Sequence, residues 1–391
     1  MSKELRIGVI GAGGRGRLAW TAHKPENGVY VVGGADTYED KLAAFKEKFG
    51  PDVFTTSDYG KLLEKKEIDA VFVSSPDFMH EEHSVAALEA DKDIYLEKPM
   101  AISVEGCDRI LETAYKRKRK VYVGHNMRHM GFVRKMKELI DSGRIGEIKV
   151  AWCRHFVGFG GDAYFKDWHA ERSKTTSLLL QKGVHDIDVI HWLCGGFTRR
   201  VTAAGGLTLY DRVKDRHDPC ERGDAKSSGI WPPLSQKGLN PVIDVEDVSM
   251  MLMVLENGVF ASYQQCHYTP DTWRNYTFIG TEGRIENFGC SPGETFIRLW
   301  NRRNAYNPYG DENHFIPRSE GGHGGSDPNI VDEFIDYVKN GSKITTSAIS
   351  ARNSVAAGCY AARSLRQGNA PCDIPAVASK EILDYFNADL K

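Results

Sequence analysis

Leu5-Arg6-Ile7-Gly8-Val9-Ile10-Gly11-Ala12-Gly13-Gly14-Arg15-Gly16 is an apolar run that stops in a glycine loop. The six residues from Gly11 fit G-x-G-x-x-G. In such a loop the first glycine permits a tight turn and the second lets the backbone approach a pyrophosphate. The third lets a helix pack on a strand. Free N–H groups at a helix start then favour an anion. A strand before the loop and a helix-compatible stretch after it supply the context that the bare motif lacks. Gly11, Gly13, Gly14, Arg15 and Gly16 are therefore the expected dinucleotide loop. Asp36 ends the next apolar run, about twenty residues on. A carboxylate there accepts hydrogen bonds from ribose hydroxyls and repels a 2′-phosphate, so NAD is expected rather than NADP.

Further apolar runs follow at Val29–Ala35, Ala70–Ser74, Ile94–Leu96 and around Tyr122 and Val123. Amphipathic stretches such as Tyr38–Lys48 and His80–Ala90 separate them. Strands alternating with helices imply right-handed crossovers and a parallel, doubly wound sheet. Residues 1–124 are thus expected to form an α/β Rossmann domain. The pattern then changes. A helix is predicted over Gly131–Ser142, ended by Gly143. Strands are predicted at Ile148–Cys153, Val248–Leu255, Gly258–Gln264 and Tyr276–Gly280, with Asn257-Gly258 marking a tight hairpin turn. Helices are predicted over Asp327–Lys339 and Ile349–Arg366. Residues 125–391 read as an α+β domain whose sheet is mostly antiparallel, with its last helices free to pack back on the first domain. Residues 210–241 form a long polar loop, of the kind that serves as a lid or an oligomer contact.

Lys and Arg number 51 against 53 Asp and Glu. That balance gives no reason to expect nucleic acid as partner. No apolar stretch approaches the length of a membrane span, and no signal peptide is visible. The eight cysteines are scattered without a C-x-x-C pair, which suits a reducing cytoplasm. Arg212, Lys214, Arg216 and Arg222 of the long loop alternate with acids and read as solvated surface.

Glu97-Lys98-Pro99 follows the fourth apolar run, at the sheet edge where ligands bind in open parallel sheets. Pro99 keeps Lys98 extended, and an ammonium there can hold a substrate hydroxyl and stabilise the alkoxide. Gln181, His185, Asp188 and Trp192 recur at helical spacing and share one face. A His with a neighbouring Asp is a general-base arrangement. No metal is expected. Asn126, Arg128, Arg154 and His155 follow strand ends and can line a cleft, as can Trp168 and His169.

These segments together resemble the Gfo/Idh/MocA (glucose–fructose oxidoreductase/inositol dehydrogenase) family. The resemblance rests on Ser75-Pro76-Asp77 with His80, on Glu97-Lys98-Pro99-Met100-Ala101, and on Gly183-Val184-His185 with Asp188. Gly321-Gly322-His323-Gly324-Gly325 before a helix is also similar to many members. The resemblance implies a Rossmann domain followed by an α/β domain whose large open sheet often mediates oligomers, so a homodimer or homotetramer is expected. The expected cofactor residues further include Ser75, Pro76, His80, Glu97, Lys98 and Asn126. The resemblance implies that Lys98 and His185 face the nicotinamide and a carbohydrate substrate. From their places along the chain, Arg154, Trp168, His169, Gln181 and Asp188 are expected near that substrate. The chain departs from many family dehydrogenases at Gln181, where they carry Asp. The expected activity is NAD-dependent oxidation of a secondary hydroxyl of a sugar, glycoside or polyol. Two alternatives are a redox-neutral NAD-dependent glycosidase and a non-enzymatic dinucleotide sensor.

Overall fold

β1 (Leu5–Ile10), β2 (Val29–Ala35), β3 (Phe54–Thr56), β4 (Ala70–Val73), β5 (Asp93–Leu96) and β6 (Val121–Val123) pair in the order β3-β2-β1-β4-β5-β6. Every pairing among them is parallel. All four residues of β4 are buried, as a helix-covered parallel sheet requires. β3 was not legible as a strand: its three residues are all half-buried and too few to show a period. The computed structural model describes residues 4–221, 223, 229–290, 293–377 and 379–390; Arg222 lies outside them. Among the described residues no helix is long and apolar enough to cross a membrane.

The chain forms two compact units, and a single cut near residue 125 does not separate them. The first holds Met1–His129, Gly321–Arg352 and Val377–Lys391; the second holds Met130–Glu320 and Asn353–Ala376. The return of Gly322–Asn340 to the first unit has a visible cause. Phe72, Tyr95 and Tyr122 are register partners on β4, β5 and β6. Their rings stack, at 4.4 Å between Phe72 and Tyr95 and 5.8 Å between Tyr95 and Tyr122. Phe334 of the returning helix packs on this ladder, edge-on to Phe72 at 5.2 Å. All four rings are fully buried.

The second unit is built on a nine-stranded sheet. Its strands are β7 (Ile148–Phe156), β8 (Thr198–Gly206), β9 (Val248–Leu255), β10 (Phe260–Cys266), β11 (Trp273–Gly280), β12 (Arg284–Phe288), β13 (Phe296–Trp300), β14 (Glu312–Phe315) and β15 (Cys372–Asp373). The order is β14-β13-β12-β11-β7-β10-β9-β8-β15. Only β7 and β10 run parallel; the other pairs are antiparallel. The β9–β10 turn is the expected one, with Gly258 at φ 84°. Strand residues alternate between faces. Cys153, His155, Tyr263 and Tyr276 are buried on one face, whereas Met250, Leu252 and Phe260 lie exposed on the other. Helix Gly183–Cys194 covers the buried face. A Cβ at Gly183 would stand 3.0 Å from the Tyr263 ring, so the helix starts at the closest approach glycine allows. The described part of the long loop has a core of its own. Tyr210, Val213 and Leu239 are buried with Val157, Tyr164 and Phe165, and Asp247 accepts hydrogen bonds from the backbone N–H groups of Thr208, Leu209 and Tyr210.

Candidate active site

Five parallel strands of the first unit end at one edge, and the chain leaving each carries an expected cofactor residue. After β1 the loop turns sharply. Gly11 sits at φ 84°, and a Cβ on it would fall 2.7 Å from the Ser74 carbonyl carbon. A Cβ on Gly16 would come within 1.8 Å of the Gly11 carbonyl oxygen. Only hydrogen fits there. The loop opens into a 3-10 helix over Gly14–Ala22. Asp36, just past β2, accepts from the Gly13 N–H at 3.2 Å and the Tyr38 N–H at 2.9 Å. Its carboxylate thus stands against the glycine loop. The residues present fit a dinucleotide: a side-chain-free cradle with an acid beside it.

Ser75 and Pro76 follow β4 and are half-buried. His80 is held by the backbone of two loops. It is 1% exposed, with Nδ1 2.6 Å from the Pro99 carbonyl and Nε2 2.9 Å from the Ser75 carbonyl. The imidazole staples the loop after β4 to the one after β5 and so positions Lys98. Arg15 stands between two carboxylates. Its guanidinium lies 2.9 Å from Glu97 and 2.8 Å from Asp327. Burial alone would lower its pKa, but the two carboxylates outweigh that and raise it. Arg15 and Glu97 therefore brace each other beside the glycine loop. Tyr95 adds its hydroxyl to Glu97 at 3.2 Å. Lys98 itself is half-buried at the sheet edge, and the Lys98–Pro99 peptide is cis.

Asp327 was missed in the sequence, although the glycine run before it gave the signal. His323, Gly324 and Gly325 all have positive φ, which turns the chain before the helix proper begins. That turn brings Asp327 to Arg15, to the Asn126 amide at 3.1 Å and to His323 at 2.8 Å. Burial would raise the Asp327 pKa, but His323 and Arg15 hold it well below the usual range. Asn126 is buried and fixed by Asp327, so it positions the loop after β6.

In the second unit His185 is half-buried, one turn into helix Gly183–Cys194, while Gln181 and Asp188 are buried. Asp186, on the same helix, is the centre of a buried network. Asp186 meets Arg274 at 2.9 Å and His155 at 3.1 Å, and the Tyr276 hydroxyl donates to it. Burial would raise the Asp186 pKa; Arg274, His155 and Tyr276 reverse that and hold it well below the usual range. Burial, then Arg274, pushes His155 down to about 3, so it is neutral at pH 7. Arg154 is corrected by the two-residue period of β7. It lies on the face opposite His155 and bonds Asn275 at 2.6 Å, so it does not reach the face that helix Gly183–Cys194 covers. His191 meets Thr198 at 2.7 Å and ties the helix end to β8. Trp168 and His169 are brought together: their rings stack at 3.7 Å, His169 bonds Asp167 at 2.6 Å, and Tyr164 packs edge-on to His169 at 5.5 Å.

A glycine-loop Rossmann unit with an acid after β2 and a braced lysine after β5 defines an NAD-binding oxidoreductase. The chain belongs to the Gfo/Idh/MocA family. The family's NAD-binding Rossmann-fold model matches residues 5–125, and its C-terminal alpha/beta domain model matches residues 137–374. The chain is similar to the Bacillus subtilis protein YteT, 26% identical over 349 residues covering 78% of this chain and 81% of YteT. It is similar to inositol 2-dehydrogenase of Salmonella typhimurium, 32% identical over 189 residues, about half of each chain (48% and 52%). The fold is that of levoglucosan dehydrogenase, solved with NADH and levoglucosan, at a TM-score of 0.77 and 20% identity, covering 95% of this chain and all of that one.

Proposed function

We propose that the protein oxidises a secondary hydroxyl of a sugar, glycoside or polyol. NAD, when bound, takes up the hydride. The observation that carries this reading is Lys98, held at the ligand edge of the sheet by Pro99, His80 and the Arg15–Glu97 pair. Its ammonium holds the substrate hydroxyl and stabilises the developing alkoxide. His185 accepts the hydroxyl proton. Gln181 offers hydrogen bonds and no charge, so the proton passes to His185 without help from a carboxylate four residues earlier. The relative named for inositol and the neighbour named for levoglucosan both support a carbohydrate substrate. Neither favours the glycosidase alternative, in which the hydride would return in each cycle. The test is a panel of sugars, polyols and glycosides with absorbance of NADH as the readout. Stoichiometric NADH from a free sugar or polyol is the expected result. Glycoside cleavage without net NADH would overturn the reading. In the same assay NAD should outperform NADP, and Asp36→Ala should narrow that preference. Equal use of both cofactors by the unaltered protein would show that Asp36 is not the ribose contact.

The open face of the nine-stranded sheet supports a homo-oligomer. Leu252 is 65% exposed and Phe260 61% exposed on neighbouring strands, and contiguous exposed apolar surface marks association sites. Light scattering should report a dimer or tetramer, and Leu252→Glu should shift it towards monomer. A monomer at micromolar concentration would overturn this. The free state of all eight cysteines suits a reducing compartment such as the cytoplasm.

A further inference from the structure

Lys182 stands three residues before His185, with its backbone still in the right-handed helical region. It is half-buried. Its ammonium makes no ion pair or side-chain hydrogen bond among the described residues; its close neighbour is the ring of Tyr164, 5.5 Å from Nζ. A cation withdrawn from water without a partner is costly, and the nearby acids among the described residues are already engaged. Asp186 is shared by Arg274, His155 and Tyr276. Asp162 holds Lys166 at 3.0 Å, Asp167 holds His169 at 2.6 Å, and Glu171 holds Lys174 at 2.9 Å.

The groups facing Lys182 add no countercharge. Arg274 carries the same sign and is balanced by Asp186. His155 is neutral at pH 7. His267 is fully buried with its edges on Tyr164 and Phe165, and burial keeps it neutral too. Burial, then Arg274, pulls Lys182 down to about 8, against the opposing pull of Asp186 and Cys290. Among the described residues the cluster therefore holds one uncompensated positive charge at neutral pH. It adjoins the aromatic wall of Tyr164, His169 and Trp168, which offers a flat surface for a sugar ring.

We propose that Lys182 is a specificity-determining residue that recognises an anionic substituent, a carboxylate or a phosphate, on the carbohydrate substrate. The proposal rests on the carbohydrate oxidoreductase reading and adds the charge of the substrate to it. The anion supplies the partner that the protein withholds from Lys182, and a neutral sugar leaves that charge unmatched.

Calorimetric titration of the NADH-saturated protein with D-glucuronate, D-glucose 6-phosphate and D-glucose tests it without relying on turnover. At least one anionic sugar should bind roughly 10- to 100-fold tighter than glucose, the range of a hydrogen bond to a charged group. The uronate and phosphate arms show which anion fits. Lys182→Gln should erase the difference. The affinity for the anionic sugar should fall as pH rises through about 8, where the ammonium loses its proton. Lys182→Arg keeps the charge at all these pH values, so it should retain the preference and flatten its pH dependence. That variant also separates a loss of charge from a loss of fold. Equal binding of all three sugars, no binding of any, or an anion preference that survives Lys182→Gln would each overturn the proposal. NADH formation from neutral polyols alone would do the same while leaving the oxidoreductase reading intact.

Discussion

Lys98→Ala and His185→Ala should each lower turnover by about 10²–10⁴-fold, the usual cost of a positioned acid–base group, while NAD affinity stays largely unchanged. The cofactor contacts expected from the glycine loop and Asp36 are separate in the chain from both residues. Steady-state kinetics with a matched NAD titration checks this. The loss should fall on kcat, because each group acts on the proton or on the alkoxide that forms in the transition state. Lys98 has the more visible support. Pro99, stapled through its carbonyl by His80, and Glu97, clamped by Arg15, flank it on either side. Near-normal turnover in either variant would remove that residue from the mechanism. A His185→Ala protein that no longer folds would mark the imidazole as structural, with His185→Asn as the isosteric check.

The strands that position this site were legible because each is an apolar run ending in a turn signal. Gly11 and Gly16 stand out because the turn tolerates nothing larger. Lys98 was legible because proline follows it at the end of a buried strand. What the chain did not reveal is which polar groups spend themselves on each other. Arg15 reads as an anion ligand, and nothing near it in the chain shows that Asp327, more than three hundred residues later, pairs with it. That pairing depends on the backbone reversal at His323–Gly325, and a helical pattern starting at Asp327 does not show it. Arg154 and His155 are adjacent in sequence and opposite in space, and only the register of β7 decides which of them faces helix Gly183–Cys194. Helical spacing pointed from His185 to Asp188, one turn on. That spacing does not show Asp186, a third of a turn from His185, whose partners come from β7 and β11. Lys182 was invisible for a related reason. A lysine beside a glycine reads as surface, and its lack of a counter-ion among the described residues appears only once the neighbouring acids there have been paired.

Asp186→Ala should be the most destabilising single change in the second unit. The carboxylate is fully buried and compensates Arg274 beneath helix Gly183–Cys194, with His155, Tyr276 and Cys153 also directed at it. Removing one partner of a buried ion pair leaves the other charged and unmatched, which costs about 3–5 kcal/mol. For a unit of this size that is roughly 10 °C or more in the melting midpoint. The double variant Asp186→Ala/Arg274→Met removes both charges and should recover much of the loss, since a buried pair replaced by apolar groups is often close to neutral. The pH dependence has a definite sign. The folded pKa of Asp186 lies below its unfolded value, so its contribution is full above the ordinary carboxylate range. It is lost as pH falls through that range towards the folded value. The unaltered protein should therefore lose stability on acidification more steeply than Asp186→Ala does. Thermal melts of the three proteins between neutral pH and about pH 2 read out both effects. A single variant that melts within a degree or two of the parent, or a double variant no better than the single, would show that Arg274 finds other compensation and that the cluster is not held by this pair.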